Sequence, residues 1–125
     1  MNRTVLQIEG TEETPMVHIT EGTDSHTVHI KGVSMPENTT EFYEPLKEKF
    51  NRFIKEELAT TLIVELDYMN SMSNKQVLKL IDMFSKKCKD FNVLWKHAKD
   101  DELIKMKGEE IQLVMKGTKI VIEEI

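Results

Sequence analysis

Several residue types are scarce in this sequence, and each scarcity excludes a class of protein. The chain has a single cysteine, Cys88, so it cannot form an internal disulfide, and we expect a reducing compartment. Only 5 of its 125 residues are glycine, and they do not show the spacing of a phosphate-binding loop. No apolar run approaches the about 20 residues that cross a bilayer, and the first residues show no signal-peptide core. We therefore expect a cytoplasmic protein without membrane insertion.

Positive charge is too dispersed for a nucleic-acid partner. The 17 basic residues are mixed with 22 acidic ones, the net charge is -5, and no basic run is longer than Lys86-Lys87. Binding to a phosphate backbone depends on clustered Lys and Arg, so we predict that no nucleic acid is bound. A length of 125 residues is typical of one domain, and residues 1–125 are interpreted as such.

Catalytic and metal-binding patterns are also absent from the sequence. The 4 histidines show no HExxH spacing and pair with no CxxC motif, so we expect neither a metal nor a cofactor. Cys88 lies on the apolar stripe of a predicted helix, which favours a buried small hydrophobe over a reactive thiol. An enzyme would have to use the acidic cluster Asp100, Asp101 and Glu102, but carboxylates in the first turn of a helix are ordinary dipole partners. The sequence therefore favours a non-enzymatic binding protein.

Strand and helix patterns alternate along the chain. Strands are predicted at residues 5–8, 16–19, 26–30, 61–68, 91–95 and 119–123, and helices at 39–58, 73–88 and 100–117. We expect Asn38 or Thr39 to cap the first helix, with Pro45 causing a kink or marking a later start. The alternation predicts an α/β or α+β fold in which helices pack against a single mixed sheet.

The segment Asn70-Ser71-Met72-Ser73 lies between the most strand-like stretch and an amphipathic helix. In an open α/β sheet, ligands and modifications gather at such carboxyl-end turns. A phosphoryl group here would face unpaired N–H groups and the positive end of the helix dipole. Ser73 and Gln76 form the capping-box pattern S-x-x-Q, which assigns Ser73 to the N-cap and leaves Ser71 to project from the turn. The hydroxyl groups of Ser71 and Ser73 are therefore the candidates for such a modification.

Three segments resemble the signatures of the SiaC family of biofilm-regulating phosphoproteins. The first is GVSMPEN at residues 32–38, followed by EFYEPL at 41–46; the second is LDYMNSMSNK at 66–75; the third is VLW at 93–95 with DDE at 100–102 and GE at 108–109. The resemblance runs from about residue 14 to residue 125. Two departures from the pattern stand out: Met72 replaces a small hydroxyl residue, and Lys96-His97 replaces an aromatic pair after the tryptophan.

The resemblance implies a fold similar to STAS domains and anti-sigma-factor antagonists such as SpoIIAA. It also implies a partner switch in which a dedicated Ser/Thr kinase phosphorylates the residue that corresponds to Ser71 and a PP2C-type phosphatase removes the phosphate. The resemblance thus makes Ser71 the predicted phosphoacceptor, with Ser73 as the second choice. The unphosphorylated form would bind and activate a diguanylate cyclase, in c-di-GMP signalling and biofilm regulation. The alternatives are a small-ligand sensor with a cleft near Asn70, or an anti-sigma-antagonist-type binding module with a different partner.

A set of motif residues is predicted to form the partner-binding surface beside the acceptor. They are Pro36, Glu37, Asn38, Tyr43, Asn70, Met72, Trp95, Asp100 and Asp101. For Pro36 to Tyr43, the competing interpretation is a helix-entry turn with a packed tyrosine. Phosphate on Ser71 would bring negative charge close to Asp67, and near Asp100 and Asp101 if the fold brings them to the turn, so we expect phosphorylation to weaken partner binding.

Overall fold

A computed structural model describes residues 2–125, and a six-stranded sheet forms the centre of that part of the chain. The strands are β1 (Arg3–Ile8), β2 (Met16–Glu21), β3 (Ser25–Ser34), β4 (Ala59–Met69), β5 (Phe91–His97) and β6 (Lys119–Glu124). The helices are α1 (Thr39–Phe53), α2 (Ser71–Lys87) and α3 (Glu102–Val114).

The strands lie in the sheet in the order in which they occur in the chain. The first three form an antiparallel meander, whereas β3, β4, β5 and β6 are parallel and are joined by the three helices. This confirms the predicted single mixed sheet. Right-handed connections between neighbouring parallel strands place all three helices on the same face.

Burial alternates along the strands as this one-sided arrangement requires. On β4, Leu62 and Val64 are fully or almost fully buried against the helices, whereas Ile63 between them is only partly buried. Ile63 lies opposite His29 and Leu94 on the neighbouring strands, in a row across the face that no helix covers. The core therefore lies in one layer between the sheet and the helices.

Several of the predicted helix boundaries were wrong, including both ends of α3, which spans Glu102–Val114 instead of residues 100–117. The helix α1 ends at Phe53 instead of residue 58, and Pro45 lies inside it, so the helix does not start later. It starts at Thr39 because the Asn38 side chain accepts a hydrogen bond from the Glu41 N–H (3.2 Å), which confirms Asn38 as the N-cap. The helix α2 begins at Ser71 instead of residue 73, so the segment 70–73, which was expected to be a turn, is mostly the first turn of that helix.

The cysteine lies where α2 ends. Cys88 is the C-cap residue and is buried, with its Sγ 3.6 Å from Thr60 Oγ1. Burial raises the pKa of this thiol, which disfavours the reactive thiolate. No helix of residues 2–125 has the length and apolar character needed to cross a membrane.

Candidate functional site

Most of the predicted site residues lie along one edge of the sheet. Because β3, β4 and β5 are parallel, their carboxyl ends meet at this edge, and each is followed by the start of a helix. The segments 35–38, 70–72 and 98–101 are therefore neighbours, although they are far apart in the chain. We call this the carboxyl edge.

The start of α2 is capped by Asn70. Its side chain accepts a hydrogen bond from the Ser73 N–H at 2.8 Å, so the prediction that Ser73 is the N-cap was wrong. Ser71 is consequently the first residue of the helix, and it is exposed. Helix geometry gives the N–H groups of Ser71 and Met72 no partner within the helix. An exposed hydroxyl thus lies beside two unpaired donors.

Ser73 is fully buried in a chain of three hydroxyl groups. The Ser34 hydroxyl donates to Ser73 Oγ (2.8 Å) and lies 2.6 Å from the hydroxyl of Tyr43. All three side chains have no exposed surface, and burial raises the pKa of Tyr43. The chain fastens the first turn of α2 to β3 and α1. Because its hydroxyl is buried, Ser73 is less accessible to a kinase than Ser71.

Two predicted partner contacts at the start of α1 are not available on the surface. Tyr43 is fully buried, and Pro36 is buried as well. Packing is therefore their role, as the competing interpretation held. Glu37 and Asn38 are exposed and can meet a partner, although the side chain of Asn38 is also the cap of α1.

Trp95 is fully buried, so it cannot contact a partner in this structure. Its indole N–H donates to the carbonyl of Ile104 in α3 (2.9 Å). Gly108 lies against the ring so closely that an added Cβ would be 2.5 Å from Trp95 Cδ1. The tryptophan therefore anchors α3 to the sheet, and a side chain at position 108 would push the two apart.

The start of α3 is acidic. Asp101 is the N-cap and accepts a hydrogen bond from the Ile104 N–H (3.0 Å), Glu102 lies in the first turn, and Asp100 is exposed. The cap confirms that Asp101 interacts with the helix terminus. Within residues 2–125, no three His, Cys, Asp or Glu side chains are grouped closely enough to hold a metal ion.

The first turn of α2 differs from those of the other two helices in its charge. Glu41 lies in the first turn of α1 and Glu102 in that of α3, whereas α2 has no acidic residue there. Within the cap and first turn of α2, the positive end of the dipole therefore meets only the neutral side chain of Asn70. A dianionic group on Ser71 would supply the negative charge that α2 lacks.

Exposed apolar side chains flank this position. Met72 is 52% exposed and follows Ser71 directly, and Tyr68 is 45% exposed at the end of β4. Met35, at 41% exposure, lies just beyond the end of β3. Sequence reasoning singled out Met72 but missed Tyr68, because its place in the most strand-like stretch of the sequence gave no sign that it would be exposed.

Ser34 and Lys107 were also not assigned a role from the sequence. Ser34 lies in the quoted GVSMPEN segment, but only the structure shows that it links Tyr43 to Ser73. The ammonium group of Lys107, in α3, donates to the carbonyl of Met69 (2.9 Å), the last residue of β4. No local pattern connects residues 38 positions apart in this way.

A cleft of about 590 Å³ opens beside the start of α1. It is lined by residues 11–14, Pro36–Asn38, Glu41 and Phe42. Asn70 is not among these residues, so this cleft is not the one expected near the turn.

A comparison with known protein families agrees with the family that the sequence motifs resemble. Residues 8–125 match the model of the family described as SiaC family regulatory phosphoprotein. A comparison with curated protein sequences found no match.

Among solved structures, one similar chain comes from the crystal structure of the diguanylate cyclase SiaD in complex with its activator SiaC from Pseudomonas aeruginosa. It has a TM-score of 0.77 and 21% identity, over 96% of this chain and 99% of that one. Apo-SiaC from the same organism has a TM-score of 0.76 and 21% identity, over 94% and 97%. These structures share the fold, and the family match over residues 8–125 shows that this chain belongs to the SiaC family of regulatory phosphoproteins.

Proposed function

We propose that this protein is a phosphorylation-controlled partner-switch adaptor whose unphosphorylated form binds and activates a diguanylate cyclase. A Ser/Thr kinase adds phosphate to Ser71, and a PP2C-type phosphatase removes it. The family description as a regulatory phosphoprotein and the complex of a similar protein with a diguanylate cyclase support this function. The observation that carries the proposal is the position of Ser71, an exposed hydroxyl at the first position of α2.

The location of Ser71 suits repeated modification without unfolding. Its side chain is exposed, whereas the turn behind it is fixed by the Asn70 cap and by the buried hydroxyl groups of Ser34 and Ser73. A kinase can therefore reach the acceptor while the helix stays formed. Because α2 has no acidic residue in its first turn, phosphate there meets a favourable dipole.

The carboxyl edge also suits a surface that a partner leaves when phosphate is added. Met72 and Tyr68 offer apolar contact area beside Ser71, and apolar side chains next to a modified residue are poorly matched to a dianion. A phosphate carries about 1.5 to 2 negative charges near pH 7. Burying that charge in an apolar interface, or placing it opposite a partner carboxylate, would lower the affinity.

The first experiment asks whether Ser71 is modified. The protein is co-expressed with the kinase encoded near its gene, and phosphate is mapped by mass spectrometry on wild type and Ser71→Ala. We expect a single modified site that disappears in the variant. Phosphate on another residue, or none, would refute the assignment.

A second experiment measures binding of the purified diguanylate cyclase. Ser71→Asp should weaken binding roughly tenfold or more, which corresponds to about 1.4 kcal/mol or more. Ser85→Asp is a matched control because it adds the same charge to the same helix about four turns away from the carboxyl edge. Equal affinity of Ser71→Asp and wild type would contradict the switch.

A further inference from the structure

One lysine of α3 lies beside the acceptor turn without a carboxylate partner. Lys107 is partly buried, and its ammonium group donates to the Met69 carbonyl (2.9 Å). None of the ion pairs among residues 2–125 involves Lys107. Its charge is therefore balanced by one carbonyl dipole, although it has lost part of its contact with water.

The carbonyl that binds the ammonium group lies close to the acceptor along the chain. Met69 precedes Ser71 by two residues, so their Cα atoms are separated by at most about 7 Å. The lysine side chain is a flexible four-carbon stem ending in a compact charge with three donors. It can keep one donor on the Met69 carbonyl and direct another towards an oxygen atom on Ser71.

The position of Lys107 is fixed by the packing of its neighbour in the helix. Gly108 is pressed against Trp95, and the indole N–H of Trp95 holds the carbonyl of Ile104 one turn earlier. Both contacts hold α3 against β5. Lys107 is thereby presented to the end of β4 by a rigid element.

We propose that Lys107 binds the phosphate group on Ser71 and so forms a charge-assisted contact between α3 and the start of α2. This inference rests on the proposed function, because it assigns a partner to the modified form of the same residue. The unphosphorylated protein keeps Lys107 on the Met69 carbonyl. In the phosphorylated protein, the ammonium group contacts the phosphate, either together with the Met69 carbonyl or in place of it. The charge that a partner meets at this edge therefore changes in both size and position.

Other charged groups surround the same turn and shape the expected effect. Lys75 lies one turn after Ser71 on α2, while Asp67 precedes the turn and Asp100 and Asp101 belong to the neighbouring loop. The carboxylates oppose the second ionisation of a phosphate, and the two lysines favour it. Lys75 is the main competitor because a helical neighbour at i+4 can also pair with the phosphate.

The test uses full-length protein with phosphoserine installed at position 71 during translation, so it does not depend on the kinase. The second ionisation of the phosphate is followed by phosphorus NMR in a pH titration. Lys107→Met should raise the phosphate pKa by about half a unit or more, and Lys107→Arg should restore it. Lys105→Met, on the same helix, is the control and should have little effect.

Three outcomes would overturn the inference: no rise in Lys107→Met beyond that in Lys105→Met, no rescue by arginine, or a larger rise in Lys75→Met than in Lys107→Met. The last would assign the phosphate to Lys75. A protein that shows the Lys107 effect but is never phosphorylated by a kinase would refute the proposed function alone. Thermal unfolding of the unphosphorylated variants verifies that each is folded.

Discussion

The starts of α2 and α3 lie side by side at the carboxyl edge, yet they are built differently. The start of α3 is acidic, with Asp101 as cap and Glu102 in the first turn, and the indole of Trp95 anchors it. The start of α2 is neutral, with Asn70 as cap, and the buried hydroxyl of Ser34 anchors it through Ser73. One helix carries its negative charge permanently, whereas the other exposes a hydroxyl to which charge can be added.

This difference shows how one edge can combine a fixed element with a switchable one. The dipole of α3 is balanced by carboxylates that belong to the sequence itself. At α2 the same balance would depend on a covalent modification. A partner that docks across both helices would therefore meet a constant surface on one side and a variable one on the other.

The largest expected effect comes from removing the anchor of α3. Trp95→Ala should lower the free energy of unfolding by about 3–5 kcal/mol, because it empties a large buried volume and removes the hydrogen bond to Ile104. Denaturant unfolding measures the loss. Amide exchange should accelerate throughout α3 and much less in α2. If both helices are affected equally, the two starts are not separately anchored.

Leu113→Ala is the matched control for this prediction. Leu113 lies on the same helix but is 69% exposed, so its truncation should change stability little. Trp95→Phe offers a milder test should the alanine variant not fold, since it keeps an aromatic ring but loses the indole N–H.

The next largest effect concerns the anchor of α2. Tyr43→Phe removes the hydroxyl that lies 2.6 Å from Ser34 Oγ, and it should cost about 1–2 kcal/mol in the free energy of unfolding. Amide exchange should accelerate at the start of α2 and stay unchanged at the start of α3, the reverse of the Trp95 pattern. Tyr68→Phe, in which an exposed hydroxyl is removed, should change neither.

Tyr43→Phe also tests how the free energy of unfolding depends on pH in the alkaline range. Burial raises the pKa of Tyr43 above its ordinary value of 10.0. Between the pKa of this tyrosine in the unfolded chain and its higher pKa in the folded protein, the unfolded chain loses the proton and the folded protein keeps it. The free energy of unfolding therefore falls as pH rises, by up to about 1.4 kcal/mol per pH unit. Tyr43→Phe lacks this loss. The stability difference between wild type and variant should therefore shrink above about pH 10, and a constant difference would contradict the buried, neutral phenol.

Local sequence patterns predicted the mixed sheet and most of its elements because periodicity and cap residues are local properties. They left Asn38 or Thr39 as the cap of α1, and they assigned the cap of α2 to Ser73 because its spacing to Gln76 fits a capping box. Asn70 competes for the same role, and only the structure shows that Asn70 is the cap and that the Ser73 hydroxyl instead accepts a hydrogen bond from Ser34. Such a contact joins residues 39 positions apart and has no local signature.

The predicted partner-binding surface illustrates the same limit. Trp95 and Tyr43 belong to recognisable motifs, and motif membership alone does not distinguish a contact residue from a packing residue. Both are fully buried and act by holding helices in place. Lys107 is the converse case. It belongs to no motif in the sequence, yet the fold brings it to the end of β4.

The smallest expected effect, an exchange of cap charges, tests the comparison most directly. Asn70→Asp gives α2 the kind of cap that α3 has and should raise the free energy of unfolding by about 0.3–1 kcal/mol, while Asp101→Asn should lower it by a similar amount. Both changes keep a side-chain acceptor for the N–H three residues later, so charge is the main variable. Denaturant unfolding at low and high ionic strength measures them, and salt should reduce both effects. If Asn70→Asp destabilises the protein instead, the groups around the start of α2 already supply enough negative charge. Phosphate on Ser71 would then not supply a charge that the helix lacks.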